Sequence, residues 1–260
     1  MPVRPKKRLG QHFLTDANVI GKIVDAVGAP AGAPVVEIGP GEGALTGPLL
    51  ARYPGLTAVE VDAEAVAHLR ARFPSLRVLH ADVLDLDWGA LAAEAGGPLY
   101  VVGNLPYYIT SPILFGLVDA RPSVRRAVVM MQREVAERIV AAPGSKAYGV
   151  LSVQLQLFAR PALLFRVSRH VFRPKPEVES AVVALDFDIE EPEGVDSAAL
   201  RRVVRTAFGQ RRKMLRNSLA ALGAPRPLPE AFAARRPEAL APAEFVVLTR
   251  ALYGEAGGGG

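Results

Sequence analysis

The chain has 260 residues and not one cysteine. That absence removes disulfide frameworks, thiolate zinc sites, iron–sulfur clusters and cysteine nucleophiles together. Histidine is scarce: the four, at 12, 68, 80 and 170, have no metal-ligand spacing, and no metal site is expected. Long apolar runs are missing too. The longest, such as Ala127–Met131 and Ala181–Leu185, fall far short of the ~20 residues that a bilayer crossing needs, so no membrane contact is expected. The start, Met-Pro-Val-Arg-Pro-Lys-Lys-Arg, lacks the apolar stretch and small-residue cleavage site of an export signal. A cytoplasmic protein is the expectation.

What is present is enough to bury a large core, with 50% apolar and 22% charged residues in one big domain or two unequal ones. The formal charge is +5, from 31 basic and 26 acidic residues. Between Glu137 and Glu177 there is no carboxylate, while Arg138, Lys146, Arg160, Arg166, Arg169, Arg173 and Lys175 fall inside. A second acid-free cluster holds Arg201, Arg202, Arg205, Arg211, Arg212, Lys213 and Arg216. Either cluster alone reads equally as a solvated face. Two of them plus a basic N-terminal arm over residues 1–16 point to a surface for phosphates.

Apolar, β-rich runs alternate with helical patterns: Val35–Gly39, Leu56–Asp62, Arg77–Leu84, Leu99–Leu105, Ala127–Gln132, Leu163–Ser168 and Ala181–Phe187. Helical stretches between the first five predict an α/β fold with a mainly parallel sheet, because parallel neighbours need crossover connections. The last two runs are joined through Arg173-Pro-Lys-Pro-Glu177, too short and rigid for a crossover helix, which predicts an antiparallel pair at that end. Residues 188–196, acidic and containing a proline and a glycine, read as a linker. A small helical domain is expected over 197–254, with Ser197 capping a helix through Ala207 and further helices near Leu228–Ala234 and Pro242–Tyr253. The glycine-rich tail, 255–260, is expected to be disordered.

The first chemical signal is Val35-Val-Glu-Ile-Gly-Pro-Gly-Glu-Gly-Ala44, a buried strand running into glycines and then a helix from about Leu45. Glycines let a backbone turn sharply and come close to a ligand. The spacing also fits the dinucleotide fingerprint at 39, 41 and 44, and Glu60 follows at the end of the second strand run. A carboxylate there accepts hydrogen bonds from ribose hydroxyls, whether the nucleoside belongs to NAD or to S-adenosylmethionine. Glu37, two residues before Gly39, tips the reading toward S-adenosylmethionine. A bare strand-to-helix turn without ligand is the plain alternative.

Asp82 and Asn104 close the third and fourth strand runs, where an open α/β sheet gathers its ligands. Asp82 is placed to read a cofactor adenine, or merely to cap a turn. In Asn104-Leu105-Pro106-Tyr107 an amide, a proline-stiffened backbone and an aromatic ring meet the needs of methyl transfer to an exocyclic aromatic amine. Such an amine is a poor nucleophile, since its lone pair is delocalised. If Asn104 Oδ1 and the Leu105 carbonyl accept its two N–H groups, the lone pair turns toward the methyl donor, and Tyr107 stacks on the base. Taken alone, Asn-x-Pro-Tyr is also an ordinary strand-to-turn sequence.

The sequence resembles the small-subunit (16S) ribosomal RNA adenine N6,N6-dimethyltransferases over nearly its whole length. Besides Glu37-Ile-Gly-Pro-Gly41 and Asn104-Leu-Pro-Tyr107, the resemblance rests on Leu9-Gly-Gln-His-Phe-Leu-Thr-Asp16, Gln132-Arg-Glu-Val-Ala-Glu-Arg138, Lys146-Ala-Tyr-Gly149 and Phe172-Arg-Pro-Lys-Pro-Glu-Val-Glu-Ser180. It implies a Rossmann-like, seven-stranded methyltransferase domain over 1–187 with a small all-α domain behind it. It implies S-adenosylmethionine held by His12, Leu14, Glu37, Gly39, Gly41, Glu60, Asp82 and Asn104. Target chemistry then falls to Asn104, Leu105, Pro106, Tyr107 and Phe172, with Phe172 helping to hold the base. His12 departs from the asparagine common at that place, though an imidazole can still donate or accept a hydrogen bond there. The implied reaction is dimethylation of two adjacent adenosines near the 3′ end of 16S rRNA, by a monomer acting in small-subunit maturation. Three readings compete with it: a large-subunit rRNA methyltransferase, a non-enzymatic assembly factor on the same fold, and an NAD-linked dehydrogenase.

Overall fold

Aspartate and glycine set the limits of the first helix. In the computed structural model, which describes residues 11–190 and 192–255, α1 spans Ala17–Val27. The Asp16 carboxylate accepts from Val19 N at 2.9 Å, and Gly28 ends the helix in the left-handed region at φ 62°. Ile23, Val24 and Val27 share one face and are buried. Residues 1–10 of the expected arm and 256–260 of the expected tail lie outside the described residues.

In chain order the strands are β1 (Phe13–Leu14), β2 (Val35–Ile38), β3 (Thr57–Glu60), β4 (Arg77–His80), β5 (Leu99–Asn104), β6 (Val124–Gln132), β7 (Arg160–Val167), β8 (Phe172–Arg173) and β9 (Ser180–Asp186). Seven form one sheet in the order β4-β3-β2-β5-β6-β9-β7, while β1 pairs with β8. β2 through β6 pair in parallel. The crossovers between them carry α2 (Thr46–Arg52), α3 (Ala63–Arg72), α4 (Trp88–Ala95) and α5 (Thr110–Asp119). β9 runs antiparallel to β6 and lies between β6 and β7 in the sheet. All four residues of β2 are buried, as a central strand covered on both faces requires. Each of the seven strand runs in the sequence becomes a strand of this sheet.

The chain divides into two compact units, 1–136 with 161–188, and 137–160 with 189–260. The sequence reading placed its boundary at 187/188 and kept 137–160 with the sheet. The second unit shows why that segment groups elsewhere. Tyr148 is fully buried, its hydroxyl donates to the Leu240 carbonyl at 2.8 Å, and its ring meets Phe208, which stacks on Phe245. After α6 (Arg133–Ile139), these residues sit among α7 (Val150–Phe158), α8 (Ser197–Gly209) and, beyond the short α9 (Leu215–Ser218) and α10 (Glu230–Ala233), α11 (Pro242–Tyr253). In α8 the residues Leu200, Val203, Val204 and Ala207 keep helical spacing and are buried. Its cap is Asp196, which accepts from Ala198 N at 2.9 Å, rather than Ser197, the helix's first residue. A carboxylate one position earlier outcompetes the expected hydroxyl. Among the described residues no helix is long and apolar enough to cross a membrane.

Two glycines test this packing in opposite directions. A Cβ on Gly103 would lie 2.6 Å from the Ile38 carbonyl oxygen, whereas one on Gly116, inside α5, would meet nothing within 4 Å. Gly103→Ala is expected to destabilise by about 2 kcal/mol or more, and Gly116→Ala to stabilise by about 0.5–1 kcal/mol. Urea unfolding of both variants checks the pair.

Candidate active site

The carboxyl ends of β2, β3, β4 and β5 open onto one cavity of about 260 Å³. After β2 the chain turns through Gly39 and Gly41 with φ of 61° and 56°, a region that side chains with a Cβ rarely occupy. Gly41 has a second reason to be glycine, since a Cβ there would sit 2.8 Å from the Phe13 ring. The turn is braced from β3. Glu60, buried at the strand's end, accepts from Gly41 N at 3.1 Å with one carboxylate oxygen and from Asp62 N at 2.9 Å with the other. Burial raises its pKa, against the pull of those two N–H groups.

A second carboxylate lies deeper. Glu37 on β2 is buried and accepts from the Thr46 hydroxyl at 2.6 Å. Desolvation pushes its pKa up to about 8; Thr46 works against that shift and the Glu60 charge adds to it. Asp82, after β4, accepts from Leu84 N at 2.9 Å, so it caps a short 3-10 turn and also lines the cavity.

The opposite wall is the turn after β5. Asn104 is half-buried, and its Nδ2 donates to the His12 carbonyl at 2.9 Å. Because a carbonyl can only accept, this contact fixes which end of the amide is the nitrogen and leaves Oδ1 as the acceptor. Leu105 N donates to the Met130 carbonyl at 2.9 Å, and the Thr110 hydroxyl donates to the Pro106 carbonyl at 3.0 Å, which holds the turn from both sides. Tyr107 is half-buried, with its hydroxyl 2.7 Å from Ser180 Oγ. Burial raises its pKa, partly offset by Ser180 and reinforced by Glu179. His12 stacks on the Tyr107 ring, with centroids 5.6 Å apart and 29° between planes. Its Nδ1 lies 2.7 Å from the Pro174 carbonyl, so that nitrogen carries a proton.

The cavity therefore brings together His12, Leu14, Glu37, Gly39, Gly41, Glu60, Asp82, Asn104, Leu105, Pro106 and Tyr107. It does not include Phe172. That ring is 2% exposed and belongs to the apolar core, because the β1–β8 ladder pairs Phe172 with the buried Leu14. Sequence reasoning missed Val61, Val83, Ile113 and Tyr108, which also line the cavity. A signal existed for two of them: Glu60-Val61 and Asp82-Val83 repeat an acid followed by valine after adjacent strands, and Val61 is 49% exposed.

The sequence profile of the family described as ribosomal RNA adenine dimethylase matches residues 3–234. The chain is 52% identical over 255 residues to the ribosomal RNA small subunit methyltransferase A of Salinibacter ruber, covering 97% of this chain and 86% of that one. It is 47% identical over 249 residues to the protein of the same name from Leptothrix cholodnii, covering 95% and 92%. Among solved structures it is similar to a dimethyladenosine transferase from Plasmodium falciparum, with TM-score 0.74, 24% identity and coverage of 91% and 96%. It is also similar to the 23S rRNA methyltransferase ErmE, with TM-score 0.68, 27% identity and coverage of 92% and 99%.

The raised pKa of Glu37 has a measurable consequence. A carboxyl that keeps its proton in the folded state up to about pH 8, but loses it near 4.3 when unfolded, contributes stability that is complete below the lower value and lost through the higher. Stability of the wild-type chain relative to Glu37→Gln is expected to fall by up to about 1.4 kcal/mol per pH unit across that window and to level off above pH 8. Parallel urea titrations from pH 5 to 9 read this difference directly.

Proposed function

The chain belongs to the ribosomal RNA adenine dimethylase family, and on that premise we propose that it transfers methyl groups from S-adenosylmethionine to the N6 amines of two adjacent adenosines near the 3′ end of 16S rRNA. In this reading it acts as a cytoplasmic monomer on an immature small subunit. One observation carries it: the Asn104 amide, its nitrogen tied to the His12 carbonyl, shares a cavity with the braced glycine turn.

The donor set fits a cationic nucleoside. Glu37 and Glu60 are buried carboxylates whose charged forms desolvation disfavours, and a ligand carrying positive charge relieves that cost. S-adenosylmethionine supplies, when bound, a methyl group already activated by the sulfonium it leaves. Glu60 keeps lone pairs for ribose hydroxyls beyond those used by Gly41 and Asp62. Asp82 would accept from the cofactor's adenine amine, and Val61 and Val83 give that ring apolar contact. Leu14 closes the site from the N-terminal side.

On the target side Asn104 Oδ1 and the Leu105 carbonyl accept the two N–H groups of the adenosine amine and aim its lone pair. Pro106 stiffens the turn, and the Tyr107 ring stacks on the extruded base. No strong base is needed, since the proton can leave to water after transfer. The buried Phe172 is left out of the stack. Likeness to a 23S rRNA methyltransferase over most of the chain favours one second reading, a large-subunit target, and methylation of purified small against large subunits separates the two.

The second unit would hold flanking RNA phosphates. Its arginines are not equivalent: Arg211 donates to the carbonyls of Lys146 and Ser145 at 2.7 and 2.9 Å, whereas Arg212 is exposed. Arg212→Ala is expected to make the slope of log affinity against log salt shallower by about 0.7–0.9; an unchanged slope removes Arg212 from the footprint. Asn104→Ala is expected to lower methyl transfer to small-subunit particles at least ~100-fold, as loss of an orienting contact does. Thermal stabilisation by S-adenosylmethionine, about 2.7 kcal/mol for the wild type at 100 times Kd, is expected to be reduced but not abolished, because Asn104 is one of several residues on the cofactor's side of the cavity. Labelled methyl incorporation and a melting curve measure the two effects, and wild-type turnover in the variant would overturn the mechanism.

A further inference from the structure

A tyrosine side chain has two soft torsions, and in this site each meets a separate restraint from outside the Asn104–Tyr107 turn. The hydroxyl lies on the axis about which the ring rotates, so a hydrogen bond to it fixes where the axis points but not how the ring plane is turned. Ser180 provides that bond at 2.7 Å from the first residue of β9. It is 0% exposed, is paired with Gln132 in the β6–β9 register, and follows Glu179, whose carbonyl accepts from Arg133 N at 2.9 Å. Its hydroxyl therefore has little freedom to move. The ring plane is restrained by a different group, the His12 imidazole, stacked on Tyr107 and held by the Pro174 carbonyl.

Resting on the proposed methyl transfer to adenosine, we infer that Ser180 and His12 are positioning residues that act through Tyr107, the serine setting the direction of the ring and the histidine its plane. Neither has to touch the target base. Their effect falls on the second methylation more than on the first. A monomethylated amine has one N–H left, so one hydrogen bond from the turn is lost and the stacking platform carries more of the alignment. Loosening the platform lets monomethyladenosine accumulate.

The test uses the full chain with small-subunit particles as substrate. Ser180→Ala is expected to lower kcat about tenfold and raise the share of monomethyladenosine, with KM for S-adenosylmethionine within about twofold of wild type. Ser180→Thr, which keeps the hydroxyl, restores both readouts. Ser180→Ala introduced into Tyr107→Phe adds no further loss if the serine works through the tyrosine hydroxyl, whereas a second full loss overturns the inference. His12→Ala gives the same product shift, and His12→Phe, which keeps a stacking ring, reverses it; unaltered product ratios in His12→Ala remove the histidine from the proposal. A readout independent of activity comes from fluorine NMR of protein labelled with 3-fluorotyrosine, in which Tyr107→Phe identifies one of six tyrosine signals. That signal is expected to move in Ser180→Ala and in His12→Ala, and a signal unmoved in both overturns the restraint. A wild-type chain that methylates no small-subunit adenosine counts against the functional reading, and the fluorine signal then decides the restraint by itself.

Discussion

A primary amide presents two ends of nearly the same shape and opposite hydrogen-bonding sense, so which end of an asparagine is left to accept is decided by something that holds its nitrogen. Here that something is the His12 carbonyl, ninety-two positions away in sequence. One such bond is worth only about 1 kcal/mol net, too little to move a chain segment into place. The segment is placed by stronger means. Leu14 is buried in the core of the first unit, β1 pairs with β8, and Asp16 caps α1, so the backbone at His12 is fixed before Asn104 calls on it. The same short segment delivers Phe13 against Gly41. Both walls of the cavity are thus referenced to one stretch of backbone.

The glycine turn depends on its neighbours in the same way. The ends of β2 and β3 meet there, and Glu60 ties them by reaching from β3 to the Gly41 N–H. A carboxylate used as a structural acceptor keeps spare lone pairs, so bracing the turn leaves Glu60 with acceptor capacity toward the cavity. Asp82 combines roles likewise, capping its own turn while facing the cavity. In a parallel sheet with crossovers on both faces, such strand ends are the one place where side chains from distant segments converge.

What could be read in advance follows from this. The sheet was legible because each strand is an apolar run of its own; the antiparallel pairing of β9 with β6 was not, since the Pro-rich stretch before β9 spoke only for the last two runs. The residues on the cavity wall were legible where their chemistry is unusual for their place: acids closing apolar strands, an amide followed by Pro-Tyr. Phe172 does not line the cavity, for a physical reason. An aromatic beside prolines in a basic loop looks like a platform, but its pairing opposite Leu14 turns the ring into the core, and backbone pairing of a two-residue ladder leaves no trace in hydropathy. Ser180 was passed over because serine is unremarkable at a strand start until its partner is known. The stretch from 138 to 160 carries cations without acids and reads as surface, yet the one ring in its middle, Tyr148, is fully buried beside Phe208.

The choice between a sulfonium nucleoside and a dinucleotide, open on spacing alone, turns on charge. A dinucleotide brings a pyrophosphate to the glycine turn, and its two negative charges would meet Glu60, which already raises the pKa of Glu37 through like-charge repulsion. Adding anions beside two desolvated carboxylates compounds a cost that Glu37 partly escapes by holding its proton up to about pH 8. A ligand with a sulfonium and an ammonium reverses the sign of that interaction and favours loss of the Glu37 proton. An apolar residue at position 37 would spare the empty protein its desolvation penalty. A carboxyl placed there, partly solvated by the Thr46 hydroxyl, is therefore a cost carried by the unliganded fold in favour of a cationic guest.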